Sequence, residues 1–558
     1  MKSTKEKVID SIKTAVVESI ERCIAQGIFT LENIPPINVE VPREASHGEF
    51  ATNIAMHITK LAKMPPRIIG EAIIKNIQVE NNYLKSVEIA GPGFINFHLK
   101  TNWLYEVLEE VYDQRSDYGK SNVGEGKKVN VEYISANPTG PMHMGNARGG
   151  AIGDGISSLL EWAGYQVSKE FYINDAGNQI EKFGQSLEAR YLQLLDVELE
   201  FPKDGYQGED ITDHMKKFIE LHGKEYLNVE SSERKKAFID YALNLNILRI
   251  KDDLSDYGIK YDVWFSESVL HCQDQVNKII KELQDKGCAY EKDGAIWFKA
   301  TDFGCEKDDV LIRNNGLSTY FAADIAYHMD KLRTREFDWS INVWGADHHG
   351  HVARLTAALE ALGMEQGKLT VIIMQLVRLT RKGEIERMSK RSGKMITLSD
   401  LIGEVGKDAA RFFFNLRSPE SHLDFDLDLA VEESNENPVF YVQYAYARIC
   451  SILRQIDVEV SFSQVTLTLL KEKEELEIIR KLADLPQEFI IGLEKLDPSR
   501  ITKYTLDLAS TFHSFYNACR VKVEDEEVMK ARIVLIQCTK QVLKNCLDML
   551  GVNAPESM

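Results

Sequence analysis

The residues best suited to chemistry form one short run, NPTGPMHMGN, at positions 137–146. Prolines and a glycine break the backbone there, and His143 and Asn146 then lie at the start of a glycine-rich helical pattern. A helix N-terminus offers free N–H groups and the positive end of the helix dipole, which both favour a phosphate. The run therefore predicts a phosphate site. A tightly packed helix that uses His143 only as its cap would have the same sequence pattern.

A second run carries the positive charge that phosphate chemistry needs. Residues 378–394 hold seven basic and two acidic side chains, a net charge of +5 in a chain whose net charge is -19. Mobile cations on a loop rich in serine and glycine suit a triphosphate whose negative charge grows as it reacts. A solvated basic loop is the simpler alternative.

The two runs together resemble a known pair of signatures. His143-Met144-Gly145-Asn146, followed more than 200 residues later by Arg387-Met388-Ser389-Lys390, resembles the HIGH and KMSK motifs of class I aminoacyl-tRNA synthetases. Further segments resemble arginyl-tRNA synthetases over nearly the whole chain: NPTGP at 137–141, NDAGNQ at 174–179, YFAADIAY at 320–327 and NPVFYVQYA at 437–445.

The resemblance implies a reaction and its substrates. Arginine and ATP would give arginyl-adenylate and pyrophosphate, and the arginyl group would pass to the 3'-terminal adenosine of tRNA(Arg). ATP would be a substrate with Mg²⁺ carried by its phosphates. The implied catalytic residues are His143, Asn146, Arg387 and Lys390. The implied ATP-binding residues are Pro138, Thr139, Gly140, His143, Gly145, Asn146, Met388, Ser389 and Lys390.

Two positions depart from the family motifs. Asn146 replaces the second histidine of HIGH and can donate a hydrogen bond but cannot carry a charge. Arg387 replaces the first lysine of KMSK and keeps the charge with a different donor geometry. The catalytic expectation therefore rests mainly on His143 and Lys390.

Selection of arginine should require buried carboxylates, because a guanidinium is always charged and presents five donors. Asp324 follows Tyr320 by four residues in an otherwise apolar helical segment, where a carboxylate is costly to bury without a cationic partner. The alternative is a surface acid or an internal ion pair. The resemblance implies that these arginine-binding residues converge: Glu132, Asn137, His143, Tyr320, Asp324 and Asp347.

The segment Asp347-His348-His349-Gly350-His351 could be mistaken for a metal site. Four ligands within five residues cannot converge on one ion, and no cysteine or second acid is placed to complete a tetrahedron. We expect no structural metal here. The resemblance instead places the segment in the ATP and amino-acid pocket, with Asp347 as the contact.

Alternating strands and helices must position these residues. A strand at 129–135, a helix at 145–163 and a strand at 165–174 predict a βαβ unit and a parallel sheet. We expect a multidomain α/β protein: an N-terminal α+β domain (1–115), a Rossmann-type catalytic domain (116–400) with a helical insertion at about 185–290, and a C-terminal helical bundle (401–558). The resemblance implies tRNA binding by the first domain and anticodon binding by the third.

Composition limits the possible partners. The net charge of -19 argues against bulk binding of nucleic acid or of an anionic membrane. None of the eight cysteines forms a C-x-x-C pair, which fits free thiols in a reducing cytosol. We expect a cytoplasmic protein that binds arginine, ATP and tRNA(Arg) but neither DNA nor a membrane, and the resemblance implies a monomer.

Two other functions share parts of this pattern. A nucleotidyltransferase of the HxGH group would share the first motif, but those enzymes are short and lack the C-terminal bundle. A non-catalytic RNA-binding relative would lose the catalytic residues, whereas His143, Lys390, Tyr320 and Asp324 are all present.

Overall fold

The computed structural model describes residues 2–78, 83–386, 396–456, 458 and 460–558. Its N-terminal part packs helices on an antiparallel sheet of order β1-β3-β2. Gly91-Pro92-Gly93 forms the predicted turn between β2 and β3, with positive φ at both glycines. The elements are α1 (Thr4–Ala25), β1 (Phe50–Thr52), α2 (Ile54–His57), α3 (Thr59–Ala62), α4 (Pro66–Asn76), β2 (Leu84–Ala90), β3 (Phe94–Leu99) and α5 (Asn102–Gln114).

The predicted βαβ unit is present. It consists of β4 (Lys128–Glu132), α6 (Met144–Trp162) and β5 (Gln166–Ile173), within two or three residues of the expected bounds. Both faces of β4 are buried, with Val129 and Val131 on one face and Asn130 and Glu132 on the other, as in a parallel sheet that is covered on both sides. The chain has the Rossmann-type parallel sheet that the sequence predicts.

Helices follow β5 and form a small core of their own. They are α7 (Asn178–Leu194), α8 (Glu209–His222) and α9 (Ser231–Asp256). Phe183, Tyr191, Phe218 and Phe238 fill the space between them. This core is separate from that of the parallel sheet, so the segment projects from the sheet rather than completing it.

The chain then returns to the sheet and completes it. The sheet order is β11-β10-β4-β5-β6, and each neighbouring pair is parallel. A separate antiparallel sheet of order β7-β8-β9 lies between β6 and β10 in the chain. The elements are β6 (Val263–Ser266), α10 (Ser268–Cys272), α11 (Gln275–Asp285), β7 (Ala289–Lys292), β8 (Ala295–Phe298), β9 (Asp309–Ile312), α12 (Tyr320–Met329), β10 (Trp339–Gly345), α13 (His349–Ala361) and β11 (Leu369–Met374).

A third small sheet differs from the sequence-based expectation. Its order is β13-β12-β14, and β14 lies after position 400, where only helices were expected. Leu423 and Phe425 point into the core at alternate positions of β14, but four residues among acids are too short to show a strand period. The elements are β12 (Val377–Arg381), β13 (Glu384–Ile385), α14 (Leu398–Val405), α15 (Lys407–Phe414), β14 (Leu423–Asp426) and α16 (Leu427–Val431).

The remaining elements form the predicted helical C-terminal region: α17 (Pro438–Ile456), α18 (Lys473–Lys495), α19 (Ser499–Ala518) and α20 (Glu526–Leu550). The N-terminal part docks onto this bundle. Tyr118 Oη donates to Leu482 O at 2.9 Å, Tyr105 Oη donates to Leu470 O at 3.1 Å, and Lys5 pairs with Asp484. Within the described ranges, no helix is both long and apolar enough for a bilayer span.

One buried arginine joins three parts of the chain. The guanidinium of Arg411 on α15 is fully buried, pairs with Asp154 of α6, and donates to Leu550 O at the end of α20 (2.9 Å) and Tyr257 O after α9 (3.3 Å). Burial alone would raise the pKa of Asp154, but the charges of Arg411 and Lys169 lower it below its usual value.

Removing Arg411 should destabilise the fold. Arg411→Met leaves Asp154 buried with Lys169 as its remaining cation, and breaking a buried pair typically costs about 3–5 kcal/mol. We expect a clearly lower urea midpoint, followed by circular dichroism. Arg454→Met is the matched control because Arg454 pairs with Glu556 at 4.0 Å on the surface. An Arg411→Met midpoint as close to wild type as that of Arg454→Met would contradict the prediction.

Candidate active site

The chain turns sharply as it leaves β4 at the carboxyl edge of the sheet. Ile134 and Ser135 both have left-handed backbones, with φ of 68° and 44°, which is strained for a β-branched residue. Ser135 Oγ donates to Glu132 Oε1 at 2.9 Å and accepts from Tyr172 N at 3.2 Å. This crevice at the carboxyl ends of parallel strands is where such sheets bind ligands.

His143 caps α6, as in the alternative interpretation of the sequence. Its Nδ1 accepts a hydrogen bond from Gly145 N at 2.9 Å, and the Asn146 side chain accepts from His143 N at 3.2 Å. Because Nδ1 is the acceptor, a neutral imidazole carries its proton on Nε2, where it is a donor. The cap and the phosphate-site interpretations are therefore compatible.

Gly145 leaves room for the His143 imidazole. A Cβ at this position would lie 2.4 Å from Cε1 of His143. The segment before it is fixed by the helices that follow β5, since Asn246 Nδ2 on α9 donates to Pro138 O at 2.9 Å. His214 on α8 is hydrogen bonded to the Asn246 amide in turn. The loop is thus held at both its proline and its histidine.

The residues that follow the basic run contact the same segment. Met144 N donates to Ile396 O at 3.0 Å, and Leu398 N donates to Met142 O at 2.9 Å. These bonds place residues 396–398 beside His143. Arg387, Met388, Ser389 and Lys390 lie outside the described residues.

Asp324 and Tyr320 share α12, as predicted, and Asp324 is buried with 3% of its surface exposed. Burial raises the pKa of its carboxyl, and hydrogen bonds from His351 and Tyr320 oppose that rise. His351 Nε2 lies 2.7 Å from Asp324 Oδ2. Tyr320 lies half-exposed at the mouth, and burial of its hydroxyl followed by the Asp324 charge raises its pKa.

Glu267 and Tyr172 belong to this pocket but were missed from the sequence. Glu267 is 5% exposed, and burial raises the pKa of its carboxyl, with the Asp324 charge adding to the rise. Burial and then the charges of Glu267 and Asp324 raise the pKa of Tyr172. The Tyr172 hydroxyl is buried and makes no normal hydrogen bond to any described residue. The one available signal was an acid directly after a β-branched and aromatic run, VWFSE.

The segment NDAGNQ holds Glu267 in place. With its amide turned so that nitrogen faces the acceptors, Asn174 Nδ2 lies 3.2 Å from Glu267 Oε2. Asp175 Oδ1 accepts from Ser268 N at 2.9 Å. The ends of β5 and β6 are therefore tied together beside the pocket.

Glu132 lies at the base of the site with a fixed counter-ion. Its Oε2 accepts from Lys331 Nζ at 2.7 Å and from Asn342 Nδ2 at 3.1 Å. Lys331 is fully buried in a π-helical turn after α12, and its ammonium lies 4.2 Å from the centre of the Tyr327 ring. Glu132 is therefore paired with a cation, whereas Asp324 and Glu267 contact histidines.

Asp347 and Asn137 are not gathered with the buried carboxylates. Asp347 has 83% of its side chain exposed at the start of α13, and its closest ionic contact is His348 at 3.7 Å. Asn137 is exposed in the loop before His143. Among the described residues, no three histidine, cysteine or acidic side chains are arranged to hold a metal ion.

The site thus has two adjoining parts at one sheet edge. One is the N-terminus of α6 with His143 and Asn146, which suits phosphate. The other is a pocket of buried carboxylates and tyrosine hydroxyls, which suits a cation with several N–H donors.

Family comparisons cover most of the chain. Residues 108–421 match a family model described as "tRNA synthetases class I (R), catalytic domain". Residues 10–99 match "Arginyl tRNA synthetase N terminal domain", and residues 442–558 match "DALR anticodon binding domain".

Individual proteins give the same picture. The chain is 57% identical to the arginine–tRNA ligase of Ruminiclostridium cellulolyticum over 564 residues, covering all of both chains. It is also 57% identical to that of Caldanaerobacter subterraneus over 562 residues, again with full coverage. The solved arginyl-tRNA synthetase of Thermus thermophilus superposes with a TM-score of 0.75 at 21% identity, over 98% of this chain and all of the other, and so shares the fold.

Gly145→Ala should displace the His143 ring. The new Cβ would overlap the imidazole, which should rotate away and lose its bond from Gly145 N. Loss of one hydrogen bond to a charged group weakens binding about tenfold or more. We therefore expect calorimetry to show an ATP affinity about tenfold or more below that of wild type.

Gly403→Ala is the matched control. Gly403 lies exposed on α14, outside the residues assigned to substrates, and a Cβ there meets nothing within 4 Å. Alanine is the better helix former, so stability should hold or rise. Equal ATP affinities for the two variants would show that the His143 ring does not contribute to ATP binding.

Proposed function

The chain belongs to the arginyl-tRNA synthetase family and is an arginine–tRNA ligase, and on that premise we propose which of its residues bind the substrates and promote the reaction. The enzyme joins arginine to ATP, releases pyrophosphate and transfers the arginyl group to tRNA(Arg). Neither the nucleotidyltransferase nor the non-catalytic alternative is favoured, since relatives with the ligase name match over the full chain.

The observation that carries the site proposal is the buried acidic pocket. Asp324 and Glu267 are both nearly inaccessible, and burial raises the pKa of each carboxyl. A guanidinium would relieve both, because it stays charged and offers donors to two acceptors at once. Tyr320 and Tyr172 add hydroxyls on two sides. We assign the arginine side chain to this pocket.

The other end of arginine lies toward the α6 loop in this proposal. Glu132 is already neutralised by Lys331, so its part is that of a hydrogen-bond acceptor rather than an additional charge. Asn137 and Asp347, both exposed, would bind the ammonium and carboxylate groups of the substrate. His143 lies between the two substrates.

ATP would place its phosphates at the N-terminus of α6. The Nε2–H of His143 and the amide of Asn146 would donate to phosphate oxygens, and Pro138, Thr139, Gly140 and Gly145 would shape the cradle. Asn246 and the cap bonds hold this loop, so little ordering is left for the moment of binding. Mg²⁺, arriving on the phosphates, would neutralise part of their charge.

Lys390 is proposed to stabilise the reacting phosphates, with Arg387, Met388 and Ser389 beside it. These positions lie outside the described residues, and their nearness in sequence to Ile396 supports the assignment. Lys390 precedes Ile396 by six residues. Ile396 is bonded to Met144, next to His143.

The first step is an in-line displacement. A carboxylate oxygen of arginine forms a bond to the α-phosphorus as the bond from that phosphorus to the pyrophosphate oxygen breaks. The nucleophile is already anionic, so no general base is needed. The site residues lower the barrier through positioning and through cationic stabilisation of the leaving pyrophosphate.

The family match also supports proposals for the rest of the molecule. We assign residues 1–115 and 401–558 to tRNA contacts and residues 116–400 to catalysis, with α7, α8 and α9 as the insertion between β5 and β6. We further propose a monomer that works in the cytoplasm, consistent with cysteines that are all free.

Arginine-dependent exchange of pyrophosphate into ATP tests the function and the pocket together. With tRNA(Arg) present and a panel of amino acids, wild type should respond to arginine alone. Asp324→Asn should raise the arginine KM at least about thirtyfold and leave the ATP KM nearly unchanged, because the lost partner is a buried anion.

Asp285→Asn is the control for this test, since Asp285 is an exposed acid at the end of α11. Asp347→Asn should raise the arginine KM less than Asp324→Asn, because its carboxylate is solvated. Exchange that depends on another amino acid would refute the function. An unchanged arginine KM in Asp324→Asn would refute the pocket.

Lys390→Ala should act on the chemical step. We expect kcat for exchange to fall about a hundredfold or more, since one donor to a developing oxyanion is worth that much. The arginine KM should change little. Lys307→Ala, at an exposed lysine before β9, is the control. A kcat within twofold of wild type would remove Lys390 from the mechanism.

A further inference from the structure

We propose that His351 is a positioning residue for arginine: it holds the Asp324 carboxylate ionised and turned toward the substrate guanidinium, and so sets the affinity for arginine. This inference rests on the proposed arginine pocket. In this proposal the buried Asp324 carboxylate is already ionised before arginine binds.

The first observation is the contact itself. His351 Nε2 lies 2.7 Å from Asp324 Oδ2, and both residues are at least nine-tenths buried. A donor at this distance is a charge-assisted hydrogen bond, the strong kind. It occupies Oδ2 and leaves Oδ1 for other partners.

The second observation is how the imidazole is held. The ring centre of His351 lies 5.6 Å from that of Trp344, 5.7 Å from that of Tyr320 and 5.7 Å from that of Phe321. These rings come from β10 and α12, while His351 itself lies on α13. The packing fixes the ring plane, so Nε2 stays directed at Asp324.

The third observation is the charge around Asp324. Glu132 and Glu267 surround it with negative charge, and the Lys331 ammonium is bonded to Glu132. Burial and like charge both favour the neutral acid. The hydrogen bond from His351 is the larger of the two from side chains that oppose this, ahead of the one from Tyr320. A neutral Asp324 would bind a guanidinium poorly.

The groups that titrate or carry charge around Asp324 come from several elements. They are Glu132 of β4, Tyr172 of β5, Glu267 and His271 at α10, Tyr320 and His328 of α12, Lys331 after it and His351 of α13. Burial and then the Lys331 charge lower the pKa of His328, so this histidine stays neutral. Only His351 among the histidines contacts the Asp324 carboxylate in the described residues.

Removal of the donor should make arginine binding depend on pH. Without the bond from His351, the pKa of the Asp324 carboxyl rises further, so the ionised form is lost as pH falls through that higher value and returns as pH rises. The guanidinium stays charged throughout. The arginine KM should therefore be most impaired at low pH.

The experiment compares His351→Leu with His351→Gln in full-length enzyme. Glutamine can place its amide nitrogen near the position of Nε2 and donate, whereas leucine cannot. Arginine-dependent pyrophosphate exchange with tRNA(Arg) is measured from pH 6.5 to 9, and each arginine KM is divided by that of wild type. His351→Met, which also lacks a donor, replaces the leucine variant if that variant does not fold.

We expect the KM ratio of His351→Leu to be about ten to a hundred at pH 7, the range for a lost hydrogen bond to a charge, and to fall toward one by pH 9. His351→Gln should stay within about threefold of wild type at every pH. The ATP KM should not change in either variant.

A ratio near one for His351→Leu at pH 7 would overturn the proposal. So would a ratio that is raised equally at every pH, since that is the result of a merely structural role, or a glutamine variant as impaired as the leucine variant. Asp324→Asn distinguishes a failure of this inference from a failure of the proposed arginine pocket. If it loses arginine affinity while His351→Leu does not, this inference alone fails; if it keeps arginine affinity, the pocket itself is wrong.

Discussion

The burial of negative charge at one sheet edge is the constraint on which the site depends. Glu132, Glu267 and Asp324 are each at most 5% exposed. Such groups remain ionised only with donors or cations beside them. Lys331 forms an ion pair with Glu132. The NDAGNQ segment and His271 contact Glu267, and His351 is hydrogen bonded to Asp324. Each buried carboxylate around α12 thus has a donor or a cation of the chain beside it.

Helix α6 connects this edge to the rest of the molecule. His143 and Asn146 lie at its first turn, and Asp154 in its middle meets the fully buried Arg411. Arg148 on the same helix is also buried, and its guanidinium donates to the carbonyls of Gln375, Ser418 and Ser421, next to the small sheet that carries the basic run. The burial lowers its pKa to about 10. One helix therefore connects the loop at His143, the chain beside the small β13-β12-β14 sheet and the C-terminal helices.

Local pattern was enough to predict the parts that depend on neighbouring residues. The βαβ unit, the cap at His143 and the shared helix of Tyr320 and Asp324 follow from periodicity and spacing. Glu267 and β14 could not be found that way. β14 is four residues long, and Glu267 owes its role to Asn174 and Tyr172, which the fold brings to it from the preceding strand. The sequence shows a histidine at position 351, but it does not show that Asp324 on another helix is its partner, because only packing aligns α12 with α13.

The docking of the first domain on the last has a consequence for synthesis. The hydroxyls of Tyr105 and Tyr118 bond to carbonyls more than 360 residues later in the chain. Ribosomes add about 5 to 20 residues per second, so roughly 20 to 70 s pass before those carbonyls exist. During that interval α5 exposes an apolar face with Val107, Leu108 and Val111 that α18 and α20 cover in the finished protein. The nascent chain therefore carries an uncovered apolar surface until α18 and α20 have been made.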